Sequence, residues 1–195
     1  MVKVLAYSGI YPNFQFQISN FQNRISMNSI VKQYYEKSEG EVHLSWEDVE
    51  RAAERIIHQM KDDSFQPDLI ISIARSGLIP ASLISYALGN KELYVIKIDF
   101  SKSQQMSFRQ DMRDQPKISQ ELSKDIEGLN VLVVDEMVVS GTTLKMVKDY
   151  LAMKGPHEVK YAVLYKQPWT QFDPDYFGDE VRPWPIFPWK RLKQE

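Results

Sequence analysis

Residues 131–144 read VLVVDEMVVSGTTL, and the reading of this stretch decides the fold. Val131 to Val134 are four branched apolar residues in a row, the pattern of a strand buried on both faces of a parallel sheet. Asp135 and Glu136 follow where that strand must leave the sheet. After Met137, Val138 and Val139 comes Ser140-Gly141-Thr142-Thr143, and the continuation LKMVKDYLAMKG predicts a helix closed by Gly155. Glycine lets the backbone turn tightly and approach a ligand. The hydroxyls and free N–H groups at the helix start suit a phosphate, because the helix dipole favours negative charge there. The two carboxylates, one loop away, can accept hydrogen bonds from sugar hydroxyls or help hold a metal ion. A phosphate cradle facing an acidic pair describes a site for a phosphorylated sugar.

Composition bounds the rest. The chain has 195 residues, enough for one well-buried domain and an appendage, and 43% of them are hydrophobic. A formal charge of −2 argues against a general nucleic-acid binder, which carries a basic excess. With no cysteine, neither disulfides nor thiolate metal sites can form. No apolar run approaches the length of a membrane span, so no membrane partner is expected. The opening MVKVLAYSGIYPNFQFQ, interrupted by Ser8, Gly9 and Pro12, makes a poor signal peptide. These features lead to the expectation of a cytoplasmic enzyme.

Residues 1–40 mix Asn, Gln, Ser and aromatics without a sustained period, and Ser38-Glu39-Gly40 marks a boundary. We read them as an N-terminal extension of unknown role, with a short helix possible over 29–37, ahead of a domain at 41–195. Ser45-Trp46-Glu47-Asp48 reads as a helix cap with an acid at the third helical position. Trp46, Val49, Ala52, Ala53, Ile56, Ile57 and Met60 then mark one apolar face at helical spacing, Trp46 being assigned to the core. Residues 67–74 form a buried strand ending at Arg75-Ser76-Gly77. A helix begins at Ile79 and Pro80 and runs to Gly89. Residues 93–100 are the next strand, and 101–121 read as a long polar loop, a length that is usually functional or disordered. Residues 158–165 make another strand, ending at Lys166.

Strands alternating with helices imply an α/β fold with a doubly wound parallel sheet, and ligands bind such sheets at the carboxyl ends of the strands. That rule gathers Arg75-Ser76-Gly77, the 101–121 loop, residues 135–143 and Lys166 on one rim.

The 131–144 stretch resembles the phosphoribosyl pyrophosphate signature of type I phosphoribosyltransferases: apolar strand, acidic pair, short spacer, Ser-Gly-Thr-Thr, helix. Arg75-Ser76-Gly77 resembles the pyrophosphate turn of the same family, commonly Arg-Gly-Gly or Lys-Gly-Gly. The segment Leu164-Tyr165-Lys166-Gln167-Pro168-Trp169 resembles the strand end of purine phosphoribosyltransferases, where the lysine donates to the exocyclic oxygen of a 6-oxopurine. The tail Trp184-Pro185-Ile186-Phe187-Pro188-Trp189 is similar to that of microbial and archaeal xanthine–guanine and hypoxanthine transferases, a small aromatic hood whose first aromatic stacks on the base. Pro185, lacking an N–H, keeps only an accepting carbonyl for the purine edge.

The resemblance implies a magnesium-dependent transferase that joins a 6-oxopurine to phosphoribosyl pyrophosphate in purine salvage, acting as a homodimer or higher homo-oligomer. Arg75, Ser76 and Gly77 would bind the pyrophosphate. Val139, Ser140, Gly141, Thr142 and Thr143 would surround the 5′-phosphate, and Lys166, Trp184 and Pro185 the base. Asp135 and Glu136 would hold the ribose hydroxyls, touching magnesium only through sugar or water, with Arg75 joining them in catalysis. Two residues depart from the pattern. Val139 stands where 6-oxopurine transferases usually carry Asp, and Lys190 where relatives often carry an acid. Both remove negative charge, which leaves room for a second reading: the same fold as a non-catalytic or weakly catalytic sensor of phosphoribosyl pyrophosphate or nucleotide.

Overall fold

A computed structural model describes residues 37–38, 40–101 and 115–191. Five strands of its main sheet run parallel: β3 (Leu93–Ser101), β2 (Leu69–Ala74), β5 (Asn130–Val138), β6 (Glu158–Lys166) and β7 (Tyr176–Glu180), in that spatial order. A sixth, β4 (Gln115–Gln120), pairs antiparallel with β3 at the edge. Helices α1 (Trp46–Asp62) and α2 (Leu78–Leu88) cover one face, and α3 (Thr142–Ala152) covers the other. A separate two-stranded parallel ribbon joins β1 (Glu41–His43) to β8 (Trp184–Ile186).

The period of the strands explains the two-sided core. Along β5, Leu132 and Val134 enter the core under α1 and α2, while Val131 and Val133 enter the core under α3. All four are buried, the property that makes the run continuously apolar.

The capping box at Ser45 is present: the Asp48 N–H donates to Ser45 Oγ at 3.1 Å, and the Ser45 N–H donates to Asp48 Oδ2 at 2.7 Å. Val49, Ala52, Ala53, Ile56, Ile57 and Met60 are buried as the spacing requires. Trp46 is not core: it is 58% exposed. It is the first helical residue, and its ring lies 5.7 Å from that of Trp189 instead.

The stretch 101–121 is not all loop. β3 runs on to Ser101 and Gln115–Gln120 form β4, whose polarity is that of an edge strand, with Pro116 tolerated there because one side needs no ladder. Of the expected helix over 29–37 only Lys37 is described, in a turn; its other residues, like 102–114, lie outside the described residues. β1, β7 and β8 are further additions to the sequence reading. Among the described residues no helix is long and apolar enough to cross a membrane.

Candidate active site

β2 and β5 are parallel neighbours in the register Leu69↔Val131 to Ser72↔Val134, so their carboxyl ends emerge side by side. The turn after β2 therefore lies against the acids after Val134. Gly77 makes this approach possible: a Cβ there would come within 2.4 Å of the Val134 carbonyl oxygen and 2.8 Å of the Ile73 carbonyl oxygen. The Ala74–Arg75 peptide is cis and Arg75 is exposed at the head of the turn. Ser76 Oγ donates to Asp135 Oδ1 at 2.7 Å.

The two carboxylates of the pair have different surroundings. Asp135 Oδ1 also accepts the Glu136 N–H at 2.7 Å, while no described residue donates to Oδ2. Burial raises the Asp135 pKa to about 7, with the charge of Glu136 adding to the effect and the Ser76 hydrogen bond opposing it. Glu136 is 4% exposed. It accepts a hydrogen bond from Trp189 Nε1 at 3.1 Å on one oxygen and from the Lys190 ammonium on the other. The Lys190 and Trp189 contacts come from a 3-10 turn, Pro188–Arg191, that follows β8.

The loop between β5 and α3 is shaped as the sequence suggests. Gly141 caps α3 with φ of 87°, and a Cβ there would meet Phe172 Cβ at 2.5 Å, so two constraints demand glycine. Ser140 and Thr142 share a hydroxyl–hydroxyl hydrogen bond of 2.9 Å, and the Thr142 N–H donates to Ser140 Oγ at 3.3 Å. The first turn of α3 carries no acidic side chain that would repel an anion.

On the other side of β5, Lys166 pairs in register with Val138, at the same end of the sheet. Its ammonium is 2.9 Å from Asp173 Oδ1, 3.7 Å from Glu180 and 4.1 Å from the centre of the Phe177 ring. Nothing local in the sequence marks Asp173 or Glu180 as partners of this lysine. Trp184 is buried and packs with Ile186 against Met137 and Val139. Pro185 is buried beside it and pairs with Val42. The structure thus joins Ser76 to Asp135, sets Gly77 against Val134, and packs Trp184 against Val139. Lys166 sits among Asp173, Glu180 and the Phe177 ring.

A parallel sheet that gathers a tight turn, an acidic pair and a hydroxyl-lined helix start at the carboxyl ends of its strands is an arrangement suited to anionic, hydroxyl-bearing ligands. A family model described as the phosphoribosyl transferase domain matches residues 42–191, and the chain belongs to this family of transferases. It is 26% identical over 156 residues to a xanthine-guanine phosphoribosyltransferase of Idiomarina loihiensis, covering 78% of this chain and 88% of the relative. A purine phosphoribosyltransferase structure from Pyrococcus horikoshii superposes with a TM-score of 0.68 at 32% identity, covering 80% of this chain and 97% of the other. A xanthine-guanine-hypoxanthine phosphoribosyltransferase of Helicobacter pylori shares the fold, with a TM-score of 0.64 at 23% identity over 79% of this chain and 94% of the other.

Proposed function

We propose that this enzyme transfers a phosphoribosyl group from phosphoribosyl pyrophosphate to a 6-oxopurine base, hypoxanthine, guanine or xanthine, in the cytoplasm. The observation that carries the reading is the Ser76–Asp135 hydrogen bond, which ties a pyrophosphate-type turn to a sugar-type acid beside a hydroxyl-lined helix start. The names of the relatives support a purine as acceptor.

A ring nitrogen of the base attacks C1′ of the ribose. The bond from C1′ to the pyrophosphate oxygen breaks, its electron pair leaves with pyrophosphate, and the proton of the attacking nitrogen passes to solvent. Such a displacement has an oxocarbenium-like centre, so the protein's work is positioning and charge stabilisation. Arg75 to Gly77 take the pyrophosphate, Val139 to Thr143 the 5′-phosphate, and the acidic end of β5 the ribose hydroxyls. Lys166 and Trp184 serve the base, Lys166 by exchanging Asp173 for the exocyclic oxygen, and the Pro185 carbonyl accepts from the purine edge.

When bound, magnesium would supply charge neutralisation for the departing pyrophosphate. Among the described residues no cluster of three or more His, Asp or Glu could hold a metal by protein ligands alone. A magnesium ion here would be held mainly by substrate phosphates, sugar oxygens and waters, with Asp135 at the strand end reaching it indirectly.

Residues 41–195 form the catalytic domain in this reading and 1–40 an extension. Helix α2 contains no charged residue, yet Leu78, Leu83 and Tyr86 on it are 41%, 37% and 87% exposed, which supports assembly into a homodimer or higher homo-oligomer. The test is pyrophosphate release from phosphoribosyl pyrophosphate and magnesium with a panel of bases. Turnover with a 6-oxopurine is expected; binding of phosphoribosyl pyrophosphate with no turnover on any base would favour the sensor instead.

A further inference from the structure

We propose that the acidic pair divides its labour: Asp135 faces the sugar, and Glu136 is a positioning residue that anchors the segment carrying the base-side wall. This rests on the phosphoribosyl-transfer reading above.

The argument starts from which oxygens are already occupied. Both oxygens of the buried Glu136 carboxylate accept hydrogen bonds from the C-terminal turn, one from the Trp189 indole and one from the Lys190 ammonium. Asp135 has both its intramolecular donors on Oδ1, leaving Oδ2 for a ligand. A ribose hydroxyl approaching Glu136 would have to share an oxygen that already holds a donor or displace that donor, in a carboxylate only 4% exposed. Displacing Lys190 would leave a buried carboxylate without its counter-ion, and that is costly. The same hydroxyl meets no such competitor at Asp135 Oδ2.

The Glu136 contacts reach the base side through a short chain of packing. Trp189 stacks on Phe187 with ring centres 4.7 Å apart, and Lys190 lies 5.2 Å over the same Phe187 ring. Phe187 is fully buried and directly follows β8, which carries Trp184. The Arg191 guanidinium donates to the Leu44 carbonyl, tying the far end of the turn to the segment after β1. Glu136 therefore holds the turn in place, and the turn holds Trp184 over Val139. Lys190 turns a would-be sugar ligand into a structural anion. Sugar acid and hood anchor are then consecutive residues of one strand, which couples the two half-sites without a shared ligand.

The test uses the full-length protein and calorimetric titration with magnesium phosphoribosyl pyrophosphate and, separately, with guanosine monophosphate. Asp135→Asn is expected to weaken phosphoribosyl pyrophosphate at least about tenfold, the scale of a hydrogen bond to a charged group. Glu136→Gln and Lys190→Met are expected to leave that affinity within about twofold but weaken the nucleotide at least about threefold, a fraction of the same hydrogen-bond scale. Their double mutant should be no worse than the worse single, and Lys190→Arg, which keeps the charge, should restore nucleotide binding. Trp189→Phe, which removes the indole N–H with part of the ring system but keeps an aromatic ring against Phe187, covers the case in which Glu136→Gln fails a thermal melt; it should show the same split. Loss of phosphoribosyl pyrophosphate binding in Glu136→Gln as severe as in Asp135→Asn, with Lys190→Met unaffected, would overturn the division and leave the transfer reading standing. Undiminished binding in Asp135→Asn would overturn the sugar-site reading, and this inference with it.

Discussion

Ser76 Oγ donates to Asp135 Oδ1 at 2.7 Å across 59 positions of sequence. The relationship joins the turn after β2 to the end of β5, and with them the two halves of the proposed phosphoribosyl pyrophosphate site. A glycine in place of Ser76 would leave that contact to solvent or ligand, so in this chain the serine sets the acid's orientation before substrate arrives.

The first prediction follows from the Asp135 environment. Its pKa rises from an ordinary 3.8 to about 7, chiefly through burial. The folded state then holds a proton that the unfolded state releases at lower pH. Stability from this group is present below about pH 4, falls as pH rises toward 7, and levels off above that. In protein free of metal and substrate, Asp135→Asn should erase this fall, so the variant gains melting temperature relative to wild type across that window. Ser76→Ala removes a donor to the ionised form and should move the upper end of the window higher. Calorimetric scans at a series of pH values decide it; a constant difference between wild type and Asp135→Asn would refute the assignment.

Gly77→Ala should destabilise the protein by about 2 kcal/mol, because its new methyl group meets backbone oxygen from both β2 and β5. Backbone inside a sheet cannot yield as a side-chain tip can. Urea unfolding measures the loss, and a variant as stable as wild type would show that the turn relaxes freely.

Val139→Asp tests the missing acid. Val139 is half-buried beside Trp184, so an aspartate there retains access to solvent and faces the proposed base wall. A positioned acid–base group contributes about 10²–10⁴-fold to rate, and a gain of at least about tenfold in turnover with a 6-oxopurine is expected. A folded variant that binds phosphoribosyl pyrophosphate normally without such a gain would mean that proton acceptance does not limit turnover.

Trp46→Ala should cost about 1 kcal/mol, the scale of an aromatic pair, although more than half of the side chain is exposed. Trp46 covers the outer side of Trp189, so the loss should also loosen the Pro188–Arg191 turn. Denaturant unfolding and tryptophan fluorescence in the same titration report both effects; a change below about 0.3 kcal/mol would assign Trp46 to the ordinary exposed surface.

The central elements were legible because their own residues carry the marks of burial or of capping. The four apolar residues at the start of β5, the capping box of α1 and its buried face, and the glycine and hydroxyl residues before α3 each carry their cause locally. Edge elements carry no such mark. β4 is polar on its outer side, and β1 and β8 are three residues each, formed by pairing with each other across the length of the domain. β7 likewise exists because β6 offers it a free edge, with Gly178 letting it approach Ala52 of α1.

The same division holds within the site. Residue type and spacing determined that an acidic pair, a phosphate-sized helix start and a tight turn share one edge, since strand polarity sends every carboxyl end the same way. They could not say that Glu136 faces Trp189 and Lys190 while Asp135 faces Ser76, or that Lys166 lies between Asp173 and Glu180. Those partners are chosen by which distant side chains packing delivers within hydrogen-bond reach. Hydrophobic burial is non-directional and can be read one residue at a time. A hydrogen bond or ion pair needs two groups at a set distance and angle, and only the folded chain supplies the second.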